Sequence, residues 1–225
     1  MHIHSDFDGT IARCDVTDLV LQAFATPEWE AIEEAWQNGI IDAATCMRRQ
    51  IRLIDASPHA LDELLDSVAI DPGFPDFVAW CASRNIPLTV VSDGVDYFIR
   101  RILQNHGLVN LPVFANALVR DGRGLRLEHP WRSRMCAAKS GVCKCEVTSV
   151  APSLNVYVGD GRSDECVAAT ADLLFAKDNL ATYCTRANIP FIAFESFHDV
   201  RRSLGGVVKP LDVRPTLSAA RPGSI

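Results

Sequence analysis

Three short, strand-length runs in this chain each finish in an aspartate-bearing polar signature, and that repetition narrows the folds open to it. Residues 1–4 lead into Ser5-Asp6-Phe7-Asp8-Gly9-Thr10, residues 86–91 into Ser92-Asp93-Gly94, and residues 154–158 into Gly159-Asp160-Gly161-Arg162-Ser163-Asp164. Residues 86–91 are an unbroken apolar run of the kind buried on both faces in a parallel sheet. Helical patterns separate the runs, and further short strands are expected at 113–118, 173–176 and 190–193. Strands alternating with helices predict an α/β fold with a doubly wound parallel sheet. In such a sheet ligands bind at the carboxyl ends of the strands, so all three signatures belong on one edge.

Between the first turn and residue 71 the pattern is helical throughout. Leu19, Val20 and Phe24 share one side of a first helix. Thr26-Pro27 reads as the start of a second, with a capping hydroxyl and a proline at the first helical position; it carries Trp29, Ile32 and Trp36 and stops at Gly39. Met47, Ile51 and Ile54 form the stripe of a third helix, and Ser57-Pro58 opens a fourth with Leu61, Leu64, Leu65 and Val68 inward. These stripes read as packing between helices. The expected organisation is a catalytic core of residues 1–12 and 71–204, a small helical cap of residues 13–70 inserted after the first strand, and a mobile tail from 205 to 225, where Pro, Ser and Arg dominate. Asp121-Gly122, with Leu125 and Leu127 beyond it, is a hairpin signal. Residues 132–145 read as a polar, cysteine-bearing loop.

The 225 residues carry 22 Lys and Arg against 28 Asp and Glu, a net charge of -6. The basic residues are scattered, which argues against a nucleic-acid groove or an anionic membrane surface. No basic segment followed by an apolar run marks a secretion signal, and no stretch approaches the ~20 apolar residues of a bilayer span. The eight cysteines are therefore read as reduced, in a cytoplasmic protein. Oligomeric state is not legible.

Asp6 and Asp8 lie two residues apart and share a strand face. Two carboxylates at one strand end repel unless a cation or proton relieves them. That suits Mg²⁺, which takes oxygen ligands and is held by one or two carboxylates plus phosphate oxygens; a polar turn or a weak calcium loop is the alternative. With Asp160, Asp164, Ser92 and Lys144 at the same edge, the set describes a divalent cation with a phosphate. Cys136, Cys143 and Cys145 cluster without a Cys-x-x-Cys pair or matching histidines, so structural zinc is disfavoured. His2-x-His4 reads as strand filling.

The sequence resembles the haloacid dehalogenase superfamily, in its phosphoserine-phosphatase-like branch. Asp6-Phe7-Asp8-Gly9-Thr10 is similar to the first motif, Ser92 to the second, Lys144 in Gly141-Val142-Cys143-Lys144 to the third (Lys139 is the rival), and Gly159-Asp160 with Asp164 to the fourth. The resemblance implies Asp6 as nucleophile forming an aspartyl-phosphate, Asp8 as acid and then base, and Mg²⁺ bound by Asp6, the Asp8 carbonyl and Asp160, with Asp164 orienting metal-bound water. Ser92, Lys144 and the backbone N–H of Asp93 would hold phosphoryl oxygens. The substrate-binding set is completed by Thr10 and, on the cap side, by Asp15 and Gln50.

Within the branch, Ala25-Thr26-Pro27-Glu28-Trp29, Gly94-Val95-Asp96-Tyr97-Phe98 and Gly141-Val142-Cys143-Lys144 are similar to bacterial 2-hydroxy-3-keto-5-methylthiopentenyl-1-phosphate phosphatases of methionine salvage. Phosphoserine is disfavoured, because Asp15 stands for the branch's Glu and neutral Gln50 for its carboxylate-binding Arg. Ser92-Asp93 in place of Ser-Gly resembles the phosphoethanolamine and phosphocholine phosphatases. If Asp93 faces the substrate, a cationic leaving group is favoured; if it faces solvent, it says nothing. A phosphoacceptor signalling module and a dehalogenase are the alternatives of other classes. The implied partner is a small phosphorylated metabolite.

Overall fold

The structure, a computed structural model, describes residues 1–207 apart from 123, 137 and 150–152. Its strands are β1 (His2–Ser5), β2 (Leu88–Val95), β3 (Val113–Asp121), β4 (Gly124–Glu128), β5 (Asn155–Gly159), β6 (Leu173–Ala176) and β7 (Ile192–Ala193). They form one sheet in the order β4-β3-β2-β1-β5-β6-β7. Every neighbouring pair is parallel except β3–β4, the hairpin closed by Asp121-Gly122. Ser5 of β1 pairs with Val90 of β2 and Val158 of β5. The next residues along each strand therefore stand together at the carboxyl edge, which brings Asp6, Ser92 and Asp160 to one place.

Among the described residues the helices are α1 (Val16–Phe24), α2 (Glu28–Gln37), α3 (Ala43–Ile51), α4 (Pro58–Asp66), α5 (Phe74–Ala82), α6 (Asp96–Asn105), α7 (Lys144–Thr148), α8 (Glu165–Ala168), α9 (Asp178–Ala187) and α10 (Phe197–Val207). Side chains cap α1, α3 and α4 of the helical segment. Asp15 accepts from Asp18 N–H, Asp42 from Thr45 N–H and Ser57 from Ala60 N–H; each cap contributes about 1 kcal/mol. The second start departs from its sequence expectation. Pro27 occupies the N-cap of α2 and no side chain caps it, since the proline side chain carries no hydrogen-bonding group. An antiparallel bridge between Ala12 and Ile70 closes the neck of the helical segment.

The largest apolar cluster is continuous from sheet to inserted helices: Ile3, Phe7, Val90 and Val156 are buried with Leu21, Ile51, Leu61 and Leu65. A second cluster, around Val167, Leu174 and Leu180, fills the space under α8 and α9. Both faces of the sheet are thus covered, as a parallel sheet requires.

Two sequence expectations need correction. β2 does not stop at residue 91 but runs on through Ser92-Asp93-Gly94 to Val95, with a register shift between Val91 and Val95, so the signature is itself the irregular end of the strand. Residues 205–207 belong to α10, not to a tail, and residues 208–225 lie outside the described residues. That helix is anchored by Phe197, whose ring meets Phe74 edge-on at 4.7 Å. Asp199 accepts from the Glu195 and Ser196 N–H groups and fixes its first turn. All eight cysteines are free thiols, and among the described residues no helix is long and apolar enough to cross a membrane.

Candidate active site

Asp6 is the first residue beyond β1, and burial leaves it 4% exposed. Its Oδ1 accepts from Phe7 N–H at 2.7 Å, and its Oδ2 lies 2.8 Å from Lys144 Nζ. Lys144 opens α7 at 1% exposure and donates also to Asp164 Oδ1 at 2.6 Å and Ser163 Oγ at 2.8 Å. Burial alone would strip its proton, but Asp164 and Asp6 outweigh that and raise its pKa. Lys139, the rival in the sequence, is exposed, and its carbonyl faces Ala44 N–H.

Asp164 is the most heavily bound carboxylate of the site. Its Oδ1 accepts from Lys144 and from Tyr157 Oη, both at 2.6 Å, and its Oδ2 from the N–H groups of Asp160 at 3.0 Å and Gly161 at 3.1 Å. It therefore shapes the turn that presents Asp160 rather than offering free oxygens. Thr10, expected on the substrate, donates its hydroxyl to Asp160 Oδ1. Gly9 is needed for the same reason: its φ is +68°, and a Cβ there would overlap the Asp160 carboxylate.

Asp6, Asp160 and Asp164 each bring a carboxylate oxygen within 4.8 Å of the other two, the one such group of potential metal ligands among the described residues. Lys144 is the cation bonded to this acidic set. Burial, then repulsion from Asp164, pushes Asp6 well above the usual carboxylate range, and burial lifts Asp160 to about 6. Excess buried negative charge with an oxygen-only donor set fits a hard divalent cation and not zinc.

Asp8 stands on the cavity side. Its Oδ1 accepts from Val16 N–H at 2.9 Å, while Ser92 Oγ lies 3.5 Å from its Oδ2. Burial, then repulsion from Asp15, pushes it up to about 8, so it carries a proton near neutrality. A Cβ at Gly94 would overlap Asp8. Gly94 N–H also donates to Ser92 Oγ at 2.9 Å, which orients that hydroxyl.

The Asp93 carboxylate has a structural partner that the sequence did not suggest. Its Oδ1 accepts from Val142 N–H at 2.9 Å and Asn116 Nδ2 at 3.1 Å, while the half-buried residue also lines the cavity over the site. It thereby anchors the loop that delivers Lys144.

Above these groups opens a cavity of about 640 Å³ lined from below by Asp6, Asp8, Ser92 and Asp160 and from above by α1, α2 and α3. Gln50, buried on α3, lines it and donates to Glu33 at 3.0 Å. Asp15 and Asp18 of the α1 start line it too, Asp18 pushed up to about 6 by burial, Asp15 and Glu33. Sequence reasoning missed Glu33, Asp18, Asn116, His129, Tyr157 and Ser163. A tyrosine between two valines of a fully buried strand was the available signal for Tyr157. Cys143 and Cys145 approach to 3.5 Å, but among the described residues the thiols form no metal cage.

Residues 3–169 match the family model of haloacid dehalogenase-like hydrolases. The chain belongs to the haloacid dehalogenase-like hydrolases. Among its curated relatives is a 2-hydroxy-3-keto-5-methylthiopentenyl-1-phosphate phosphatase of Brevibacillus brevis, 30% identical over 88% of this chain and 92% of that one. Its counterpart of the same name in Exiguobacterium sibiricum is 31% identical over 89% and 94%. A phosphoserine phosphatase solved as a phospho-aspartyl intermediate analogue superposes with a TM-score of 0.65 at 20% identity, covering 89% of this chain and 97% of that one. A hydrolase of the same family from Salmonella enterica serovar Typhi gives 0.69 at 18% identity, over 88% and 69%. These neighbours share the fold. With the family and its relatives together, this haloacid dehalogenase-like hydrolase is a phosphatase.

Proposed function

We propose that the chain hydrolyses the phosphate ester of a small metabolite through an aspartyl-phosphate on Asp6, with Asp8 as proton donor and acceptor. The observation carrying this reading is the convergence of Asp6, Lys144 and Asp160 from three separate parts of the chain beneath one cavity. An Asp6 oxygen attacks phosphorus in line as the ester P–O bond breaks, and Asp8, bearing its proton, delivers it to the departing alkoxide. Deprotonated, Asp8 then takes a proton from the water that attacks phosphorus and releases phosphate from Asp6. Lys144 and the Ser92 hydroxyl counter the charge on the phosphoryl oxygens. Mg²⁺, held by Asp6, the Asp8 carbonyl and Asp160, would neutralise the repulsion between an anionic nucleophile and an anionic ester. Helices α1–α4 act as the cap that closes over the leaving group.

For the substrate we take 2-hydroxy-3-keto-5-methylthiopentenyl-1-phosphate, because relatives covering nearly the whole chain carry that name and the cavity roof offers both apolar and hydrogen-bonding groups. Trp36, Met47, Cys46 and Ala43 would meet a thioether tail, and Gln50 and Thr17 the oxygenated carbons. A second reading has an observation of its own: Asp15, Asp18 and Glu33 face the same cavity and would favour an amino-alcohol phosphate. Phosphate release with Mg²⁺, and after EDTA, from the methylthio-ketose phosphate, phosphoserine, phosphoethanolamine and simple sugar phosphates tests both. Metal-dependent release fastest from the methylthio-ketose phosphate supports the first reading. A phosphoethanolamine preference transfers support to the second, and equal slow turnover of all contradicts both.

A further inference from the structure

Behind the phosphate-binding edge, a line of hydrogen bonds runs from Asp93 to the helical segment over the cavity. Asn116, fully buried on β3, donates through Nδ2 to the Asp93 carboxylate at 3.1 Å and also to the Asp93 carbonyl. Both donor contacts fix the amide orientation, so Asn116 Oδ1 is the atom that faces His129 Nδ1 at 2.7 Å. On the far side of the ring, His129 Nε2 lies 3.1 Å from the carbonyl of Ala44, in the first turn of α3. The segment before Lys144 is seated on the same pair: a Cβ at Gly141 would overlap Asn116 Oδ1 and His129 Nδ1. The next residue, Val142, donates to Asp93 at 2.9 Å.

We propose that Asn116 and His129 are positioning residues that tie the seating of the Gly141–Lys144 segment to the placement of α3 over the cavity. The proposal rests on the phosphatase reading above. Asn116 belongs to both halves, because it holds Asp93 on one side and His129 on the other. His129 governs the α3 half, since α3 supplies Ala43, Cys46, Met47 and Gln50 to the cavity roof.

The ring's protonation follows from its partners. Asn116 Oδ1 and the Ala44 carbonyl are both acceptors, so only the imidazolium satisfies the two at once. A neutral ring has one proton for the two acceptors, and the shorter contact, 2.7 Å at Nδ1 against 3.1 Å at Nε2, assigns it to Asn116 and leaves an Nε2 lone pair toward the carbonyl of Ala44. The charged groups around the ring are Arg48 of α3, Arg132 of the loop after β4, and Asp42 at the α3 N-cap; Arg132 and Asp42 are themselves paired at 2.9 Å. Burial, with the two arginines, holds the His129 pKa below its usual value. The grip on α3 therefore tightens as the pH falls and loosens toward neutrality.

The test uses steady-state hydrolysis of 4-nitrophenyl phosphate at saturating Mg²⁺ by the full chain and by His129→Asn, His129→Gln and Asn116→Ala, with melting temperatures alongside. Asn in place of His129 keeps a donor at the Nδ1 position and lacks the Nε2 arm. It should leave kcat within about threefold and raise KM by up to about tenfold at the acid end of the profile, the worth of one charged hydrogen bond, with the KM ratio to wild type falling toward one by pH 8. The His129→Gln variant keeps the distal arm and loses the proximal one, so it should lower kcat more than His129→Asn does. Asn116→Ala should lower kcat and raise KM together. A folded Asn116→Ala with unchanged kcat and KM overturns the coupling. If that variant does not fold, a KM ratio for His129→Asn that is flat with pH overturns the proposal on its own. Absence of turnover by the wild-type chain contradicts the phosphatase reading and is distinct from both results.

Discussion

Lys144 Nζ stands 2.6 Å from Asp164 Oδ1 and 2.8 Å from Asp6 Oδ2, with all three side chains removed from water. One ammonium thus ties the proposed nucleophile to the carboxylate that shapes the Asp160 turn. Replacing Lys144 by Met should lower kcat by about 10²–10³ through loss of charge stabilisation at the phosphoryl oxygens. It should also cost about 3–5 kcal/mol of folding free energy, because two buried carboxylates lose their partner. Phosphate release and a denaturant melt read the two effects separately; a variant with full activity contradicts the role.

Tyr157 presents its hydroxyl to Asp164 from inside the central strands. The Tyr157→Phe variant keeps the packing and removes one donor. Asp164 shapes the turn that presents Asp160. A group supporting a proposed metal ligand in this way is worth about 10–100-fold in affinity, so the Mg²⁺ concentration for half-maximal phosphate release should rise about tenfold with little change in kcat. An unchanged Mg²⁺ requirement would contradict that role for Tyr157.

At Gly9 the backbone is left-handed and the carboxylate of Asp160 occupies the space a Cβ would take. Gly9→Ala should destabilise the fold by about 1–3 kcal/mol and weaken metal-dependent activity together. Gly39 has a similar φ of +71° but open space around it. The Gly39→Ala variant should share only the backbone cost, and comparing the two melts and activities separates strain from the clash at Asp160.

His4 of β1, two residues before Asp6, supplies a pH prediction of its own. It stacks on His2 with ring centroids 4.1 Å apart and bonds Asn155 Oδ1 at 2.9 Å. Burial, then the neighbouring His2, holds its pKa down to about 4 from 6.5. Between those values the unfolded chain binds a proton that the folded one refuses, so stability is complete above pH 6.5 and declines as the pH falls toward 4. The decline amounts to at most about 3 kcal/mol. His4→Asn keeps a donor toward Asn155 and removes the titration, so its unfolding free energy should fall less between about pH 7 and about pH 5 than that of the wild type. Equal slopes contradict the assignment.

The carboxyl edge was legible in the sequence because apolar runs ending in Asp-x-Asp, Ser-Asp-Gly and Gly-Asp-Gly fix both the strand and the end that carries chemistry. The hairpin at Asp121-Gly122 and the helix start at Ser57 were legible for the same reason, each being set by a few neighbouring residues. Asn116 and His129 were not, since their partners lie 23 and 85 positions away and one polar residue in a strand or loop has no local signature. Glu33 is one of several acidic residues on α2, and only the fold turns it toward Gln50 and the cavity. Helix α10 was masked by the Pro-rich residues after it, although Phe197, Val200 and Leu204 repeat at helical spacing. Asp93 invited a choice between substrate and solvent, and the loop before Lys144 was the partner that sequence alone did not suggest.

The central claim is that Asp6 becomes phosphorylated. Quenching the enzyme during turnover and reducing it with borohydride converts an aspartyl-phosphate to homoserine, which peptide mass spectrometry locates. The account expects that mark at Asp6, with none in an Asp6→Asn variant that has also lost phosphate release. A mark on another residue, or continued turnover by Asp6→Asn, would contradict it.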